Sequence, residues 1–284
     1  MKQINSNIPT TIKDFCASGE LFELEYDPND CVLKTTPIPK QLDQYYPQEE
    51  YISYQNSTKG FVNFIYQAIK VYAASTKIKL VHSLVSNTKN VLDYGAGNGF
   101  LVQQLNKQNF NAFGVEPNPY ARNQAAKNSI ALFSSLEELP TLNFSVICLW
   151  HVLEHIPNYK EILKQLYSRL EDNGHLIIAL PNYKSWDAQH YNSFWAAYDV
   201  PRHLYHFSKE SIERLAHDFG FELIKTKPMC FDAYYVSYLS EKYKGATVPF
   251  IKGICNGLLS NIAGTISKEY SSHIYLLKKS KNQK

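Results

Sequence analysis

From Gly60 to about Val85 apolar residues recur at Phe61, Phe64, Ile65, Ala68, Ile69, Tyr72, Ile78, Val81 and Leu84. Asparagine and lysine fill the other side, so the spacing predicts a long amphipathic helix. After it, apolar runs of strand length occur at Asn90 to Tyr94, Ala112 to Glu116, Ile130 to Phe133, Phe144 to Trp150 and His175 to Leu180. They alternate with helical patterns near 99–108, 119–128, 158–170 and 208–219. Strands alternating with helices imply right-handed crossovers and a parallel sheet covered on both faces. Two later β-rich segments, Phe221 to Lys227 and Ser272 to Lys278, have no ordinary helical crossover between them and are expected to pair antiparallel at the far edge. The insertion at about 229–270 that separates them is aromatic from Phe231 to Leu239. It then spaces Ile251, Ile254, Leu258, Leu259 and Ile262 at helical intervals, which predicts two short helices. Residues 1–58 carry Pro28, Pro37, Pro39 and Pro47 without sustained periodicity and read as an irregular N-terminal module of short strands and turns. The main domain is expected over 59–284.

At 284 residues, 44% hydrophobic and 19% charged, the chain is globular in composition. A net charge of +3 with scattered lysine and arginine gives no basic stripe, so nucleic acid is not an expected partner. No apolar run reaches the roughly 18 to 20 residues of a membrane span, and Met1 to Ile12 lacks the apolar core of a secretion signal. Cys16, Cys31, Cys148, Cys230 and Cys255 form no CxxC pair, which suits a reducing cytoplasm and argues against a metal site built on cysteine.

The chemistry concentrates at Val91-Leu92-Asp93-Tyr94-Gly95-Ala96-Gly97-Asn98-Gly99-Phe100, where a strand ends in glycines and opens a helix. Residues without a β-carbon permit the tight turn and let backbone amides approach a nucleotide-like ligand. A dinucleotide fingerprint puts its third glycine at the sixth position, here Phe100; Gly99 comes one residue early. Asp93 would aim a negative charge at the ligand, ill placed beside a pyrophosphate and well placed beside the ammonium and sulfonium of S-adenosylmethionine. Glu116, closing the next strand ahead of Pro117, is positioned to accept hydrogen bonds from ribose hydroxyls.

Val91 to Phe100 resembles the first motif of class I S-adenosylmethionine-dependent methyltransferases. Gly114-Val115-Glu116-Pro117 resembles the second, and Ile147 to His155 the fourth-strand segment that follows. The resemblance covers roughly residues 55–228 and is to the group that includes ubiquinone-biosynthesis O-methyltransferases and sugar methyltransferases. It implies a doubly wound α/β fold with a seven-stranded sheet in the order 3-2-1-4-5-7-6, the last strand antiparallel, and helices on both faces. It also implies adenine contacts from Ser134-Ser135-Leu136 and a lining contribution from Trp150 and His151. The expected cofactor-binding set is therefore Asp93, Gly95, Gly97, Asn98, Gly99, Glu116, Pro117, Ser135, Leu136, Trp150 and His151. Some relatives carry a zinc-binding module ahead of this domain. Thr36 to Pro39 and Tyr45 to Tyr54 keep part of that pattern, but Cys16 and Cys31 stand alone, so a degenerate module without zinc is expected.

His151-Val152-Leu153-Glu154-His155 also matches an inverted zinc-protease pattern, which needs one continuous helix through both histidines. An apolar strand ending at Trp150 and Pro157 just beyond His155 predict a strand exit and short loop instead. A base is needed only if the acceptor must lose a proton, and His155, His151, His203 and His206 are the candidates in that order. The stretch Trp186 to Phe207, rich in aromatics with Asp199, Arg202, His203 and His206, is expected to wall a small-molecule acceptor; the alternative is a packed aromatic satellite core. With this stretch the 229–270 insertion is expected to form a lid, its alternative being a homodimer interface, while Tyr45 to Tyr54 covers the cofactor. The expected function is methyl transfer to a small molecule at a hydroxyl. The alternatives are a non-catalytic S-adenosylmethionine-binding protein and an NAD-binding oxidoreductase.

Overall fold

The computed structural model describes residues 8–46, 74–85 and 88–280. The expected helix from Gly60 and most of the Tyr45 to Tyr54 stretch fall outside these residues, apart from a helical segment over 74–84. Ten strands and seven further α-helices follow the alternation of the sequence. Strands β4 (Asn90–Tyr94), β5 (Asn111–Val115), β6 (Phe144–Trp150) and β7 (Leu170–Pro181) are parallel neighbours, with β4 between β5 and β6. β10 (Ser272–Lys279) lies antiparallel between β7 and β9 (Phe221–Pro228). The main sheet thus runs β5-β4-β6-β7-β10-β9.

It has six strands where seven were expected. Ile130 to Phe133 contributes only an isolated parallel bridge, Phe133 to Val115. The chain leaves at once because the backbone N–H and hydroxyl of Ser134 both donate to Glu138, at 2.7 and 2.6 Å, turning it away from the sheet edge.

Consecutive residues of each central strand serve opposite faces, the period-2 rule of a strand buried on both sides. Leu92, Ile147, Ile178 and Leu277 pack with α3 (Tyr159–Arg169) and α5 (Lys209–Asp218) through Leu163, Leu166, Ile212 and Leu215. Val91, Val146, Ile177 and Leu276 pack with α1 (Phe100–Lys107) and the 74–84 segment through Leu101, Leu105, Leu80 and Val81. A fourth helix, α2 (Pro119–Lys127), follows β5, its N-terminus capped by the Asn118 side chain.

A second sheet of four strands joins β1 (Thr11–Lys13), β2 (Leu21–Asp27) and β3 (Val32–Thr36) to β8 (Tyr205–His206), a two-residue strand from the long connection after β7. Peptide bonds Thr36-Pro37 and Val200-Pro201 are cis. That connection also holds α4 (Trp186–Tyr191). The insertion between β9 and β10 forms α6 (Cys230–Tyr243) and α7 (Pro249–Ser267), an antiparallel pair.

Candidate active site

β4 delivers the chain to a loop in which Gly95, Gly97 and Gly99 all have left-handed φ, at +78°, +55° and +74°. The three glycines serve different ends. A Cβ on Gly95 would lie 2.4 Å from Val152, and one on Gly99 2.7 Å from Ile130, so both are there for close packing. A Cβ on Gly97 would meet nothing within 4 Å; the loop opens there onto space a ligand can fill. Glu116 braces the loop, its Oε2 accepting the Gly97 N–H at 2.8 Å and its Oε1 the Asn118 N–H at 2.9 Å. Each oxygen keeps a lone pair for a ribose hydroxyl. Pro117 and Glu116 present their carbonyls to Arg122 at 2.7 Å, fixing the turn. Asn98 accepts the Phe100 N–H at 3.3 Å.

Asp93 is 4% exposed. Burial pushes its carboxyl up to about 7, with Lys77 opposing and Glu116 reinforcing the shift. A cationic ligand beside it would restore the carboxylate, so this position fits an ammonium or sulfonium and disfavours phosphate. Lys77 also stands over the Trp150 ring, 4.4 Å from its centroid. Of the expected adenine contacts, Ser135 bonds Glu137. Leu136 is buried in the core and gives its carbonyl to Arg169.

β6 ends at Trp150, His151 takes a left-handed φ of +55°, and Leu153–His155 makes one 3-10 turn. The segment is therefore no continuous helix. The break separates the fates of its histidines. His151 lies between Glu154 Oε1, 3.5 Å from Nδ1, and Asp232 Oδ2 on α6, 3.2 Å from Nε2. Burial opposes its charged form, but the two carboxylates outweigh burial and raise it to about 10. The two carboxylates thus favour the imidazolium form of His151, which works against its acting as a base.

His155 is the reverse case: burial first, then His203, lowers it to about 4. Its Nδ1 lies 2.9 Å from the Arg202 carbonyl, and His203 Nδ1 lies 2.9 Å from the Ala197 carbonyl. A carbonyl accepts only, so each Nδ1 carries the proton; His155, held low, keeps a lone pair on Nε2, while His203 Nε2 lies 3.9 Å from Asp199 Oδ2. The rings meet edge to face at 4.6 Å. Beside them Glu154 is 1% exposed; its Oε1 faces His151 at 3.5 Å, and its Oε2 has no hydrogen-bond partner. Burial works against its ionisation, yet His151, His155 and His203 outweigh burial and lower its pKa. One ligating atom each of Glu154, His155 and His203 lie within 4.8 Å of one another. His206 stands apart: it contacts the Thr35 hydroxyl at 3.1 Å, and burial lowers it to about 3.

The aromatic stretch before these histidines is mostly core. Tyr191, Trp195, Tyr198 and Val200 are buried together with Val236 of α6 and with Phe22 and Leu33 of the second sheet. The Trp195 indole donates to Asp187 at 2.8 Å, and Arg202 pairs with Asp199 and donates to the Tyr45 carbonyl. The expected wall of aromatic rings is accordingly a satellite core that carries His203 on its edge. Composition alone does not say which way a ring faces.

Residues 67–226 match a methyltransferase-domain family. The chain belongs to that family. Two curated relatives of this methyltransferase are ubiquinone biosynthesis O-methyltransferases. The one from Rickettsia canadensis (strain McKiel) is 28% identical over 50% of this chain and 66% of its own length. The one from Rickettsia typhi (strain ATCC VR-144 / Wilmington) is 28% identical over 58% of this chain and 72% of its own. The solved magnesium protoporphyrin IX methyltransferase of Synechocystis PCC 6803, with SAH bound, superposes at a TM-score of 0.53. It shares 15% identity over 83% of this chain and 97% of its own, a likeness of fold. S-adenosylmethionine is the methyl donor of this methyltransferase. Two participants escaped the sequence reading. Lys77 sits in the helical pattern like any surface lysine, and Asp232 lies far from His151 along the chain, with no motif to connect them.

Proposed function

We propose that the methyltransferase methylates a hydroxyl of a small-molecule acceptor held beside the 151–155 turn, and that Glu154, His155 and His203 take charge of the hydroxyl proton. The observation that carries this is a buried carboxylate oxygen without a donor, Glu154 Oε2, clustered with the His155 Nε2 lone pair and with His203. An acceptor O–H is a chemistry that satisfies it. The turn leans on the donor loop, Val152 filling the space against Gly95, so the cluster stands next to the donor. When bound, S-adenosylmethionine supplies a methyl carbon activated by its sulfonium leaving group. Proton removal as the new C–O bond forms is worth roughly 10²- to 10⁴-fold in rate. The names of the Rickettsia relatives agree with a hydroxyl target. The insertion closes the acceptor side as a lid, since Asp232 of α6 reaches His151 and Ser260 of α7 donates to Asp187 at 2.7 Å.

A second reading is favoured by the unpartnered Oε2 of Glu154 and by its closeness to His155 and His203: the three side chains hold a divalent cation that acidifies the hydroxyl. A nitrogen, nitrogen and oxygen set suits Zn²⁺ with a position left open, and both histidines already donate their other nitrogen to a carbonyl, as metal-binding imidazoles do. The test is labelled methyl transfer to a panel of phenols, catechols and sugars, by protein treated with chelator and then resupplied with Zn²⁺ or Mg²⁺. Restoration by metal selects the second reading. A metal-independent rate that falls on the order of 10²-fold in Glu154→Gln, with donor affinity kept, selects the first. Label on nitrogen or carbon alone, or full turnover by Glu154→Gln, refutes the hydroxyl assignment.

A further inference from the structure

Helix α7 is amphipathic in an unusual sense. Its buried positions are Gly253, Gly257, Ser260 and Gly264. A Cβ on Gly253 would come within 2.6 Å of the Tyr238 backbone, and one on Gly257 within 2.7 Å of the Tyr234 backbone, so the helix meets α6 with its own main chain. The large apolar side chains consequently point away from the protein. Phe250, Ile251, Leu258, Leu259, Ile262 and Ile266 are between 47% and 81% exposed. A surface helix of a water-soluble domain carries the opposite pattern, and a contiguous exposed face of this kind marks a contact surface.

The charges nearby select the occupant. Between residues 230 and 268 the exposed charged side chains are Lys242, Lys244, Lys252 and Lys268. The acids of that range are committed elsewhere: Glu241 is buried, and Asp232 pairs with His151. A second copy of the chain brought face to face across a two-fold axis would set lysine against lysine with no carboxylate between them. An anionic lipid surface supplies the missing negative charge and a boundary into which the apolar side chains sink. At 19 residues α7 is about 28 Å long, and no helix among the described residues is long and apolar enough to cross a bilayer. It lies on the surface.

We infer that the outward face of α7 docks this methyltransferase on an anionic bilayer, with the lysines at headgroup level. Because Asp232 and Ser260 tie the same helix pair to the acceptor side, docking turns that side toward the lipid. The test is co-sedimentation of the full chain with extruded phosphatidylcholine vesicles, with and without phosphatidylglycerol. Binding to the mixed vesicles, lowered by salt and lowered about tenfold by Leu258→Glu with Ile262→Glu, supports the inference. Lys242→Glu with Lys252→Glu, which leaves the apolar face intact, lowers it through charge alone. Donor affinity reports that the variants remain folded. Absence of vesicle binding by the unaltered protein overturns the inference. So does vesicle binding that both pairs of substitutions leave unchanged, or a stable dimer in sedimentation velocity that Leu258→Glu and Ile262→Glu disperse.

Discussion

Donor affinity should depend on pH through one carboxyl. Asp93 is buried at the end of β4, and burial raises its pKa to about 7 in the absence of a cationic ligand. As pH falls through that value the free protein takes up a proton there, while a bound ammonium or sulfonium favours the carboxylate. Affinity is therefore full above about pH 8 and is lost below about 7. Only the ionised fraction is competent, and apparent Kd scales with its inverse. That fraction falls from about nine-tenths at pH 8 to about one-tenth at pH 6, so Kd for S-adenosylmethionine rises roughly tenfold across the interval. His151, raised to about 10, and His155, lowered to about 4, titrate outside it. Calorimetric titration at pH 6, 7 and 8 measures the effect. Adenosine carries neither charge and is the control, expected to bind with little pH dependence. Asp93→Asn should weaken the donor at pH 8 and flatten its profile. A donor Kd constant from pH 6 to 8, or the same slope for adenosine and donor, would refute the assignment of Asp93 to the cationic end.

The glycines of the loop should separate fold from binding. Gly97→Ala adds a methyl into open space at a left-handed φ, so it should cost about 1 to 2 kcal/mol of stability and sharply weaken donor binding, whereas Gly95→Ala runs into Val152 and should lower Tm far more; thermal melts read beside donor titrations distinguish them. Asp187 is fully buried and accepts from Trp195, Ser260 and Ser271 at 2.7 to 2.8 Å. Asp187→Ala strands three donors and should destabilise by about 3 to 5 kcal/mol in urea unfolding, and a loss below 1 kcal/mol would deny that network its role.

How much of this was legible in the sequence depends on how local the cause is. The glycine loop, Asp93 and Glu116 lie within one βαβ unit, so their proximity follows from spacing alone. The pairing of Phe221–Pro228 with Ser272–Lys279 was legible from the β-rich composition of both. The third strand was not, because Ile130 to Phe133 has the apolar character of a strand and only the Ser134 to Glu138 bonds shorten it to one bridge. The roles of His151 and His155 were equally hidden. They lie four residues apart, and their opposite pKa shifts come from Asp232, which with Glu154 raises His151, and from burial and His203, which lower His155; Asp232 and His203 are distant in sequence. The aromatic wall failed for a related reason: Trp195 and Tyr198 pack against residues of the N-terminal strands and of α6, which no local pattern couples to them.

The pairing of β3 with β8 carries a kinetic consequence. Leu33 and Lys34 bond to His206 and Tyr205, and the Thr35 hydroxyl donates to the His203 carbonyl at 2.6 Å. Contacts across so long a stretch of chain close late, because the loop entropy must be met before they reward it. The donor loop needs only β4, β5 and β6 and their crossovers. During folding, the glycine loop can therefore be complete while His203 still waits for the first strands of the chain to return. An early folding species of this kind has the donor loop formed but lacks the histidine proposed to handle the acceptor's proton.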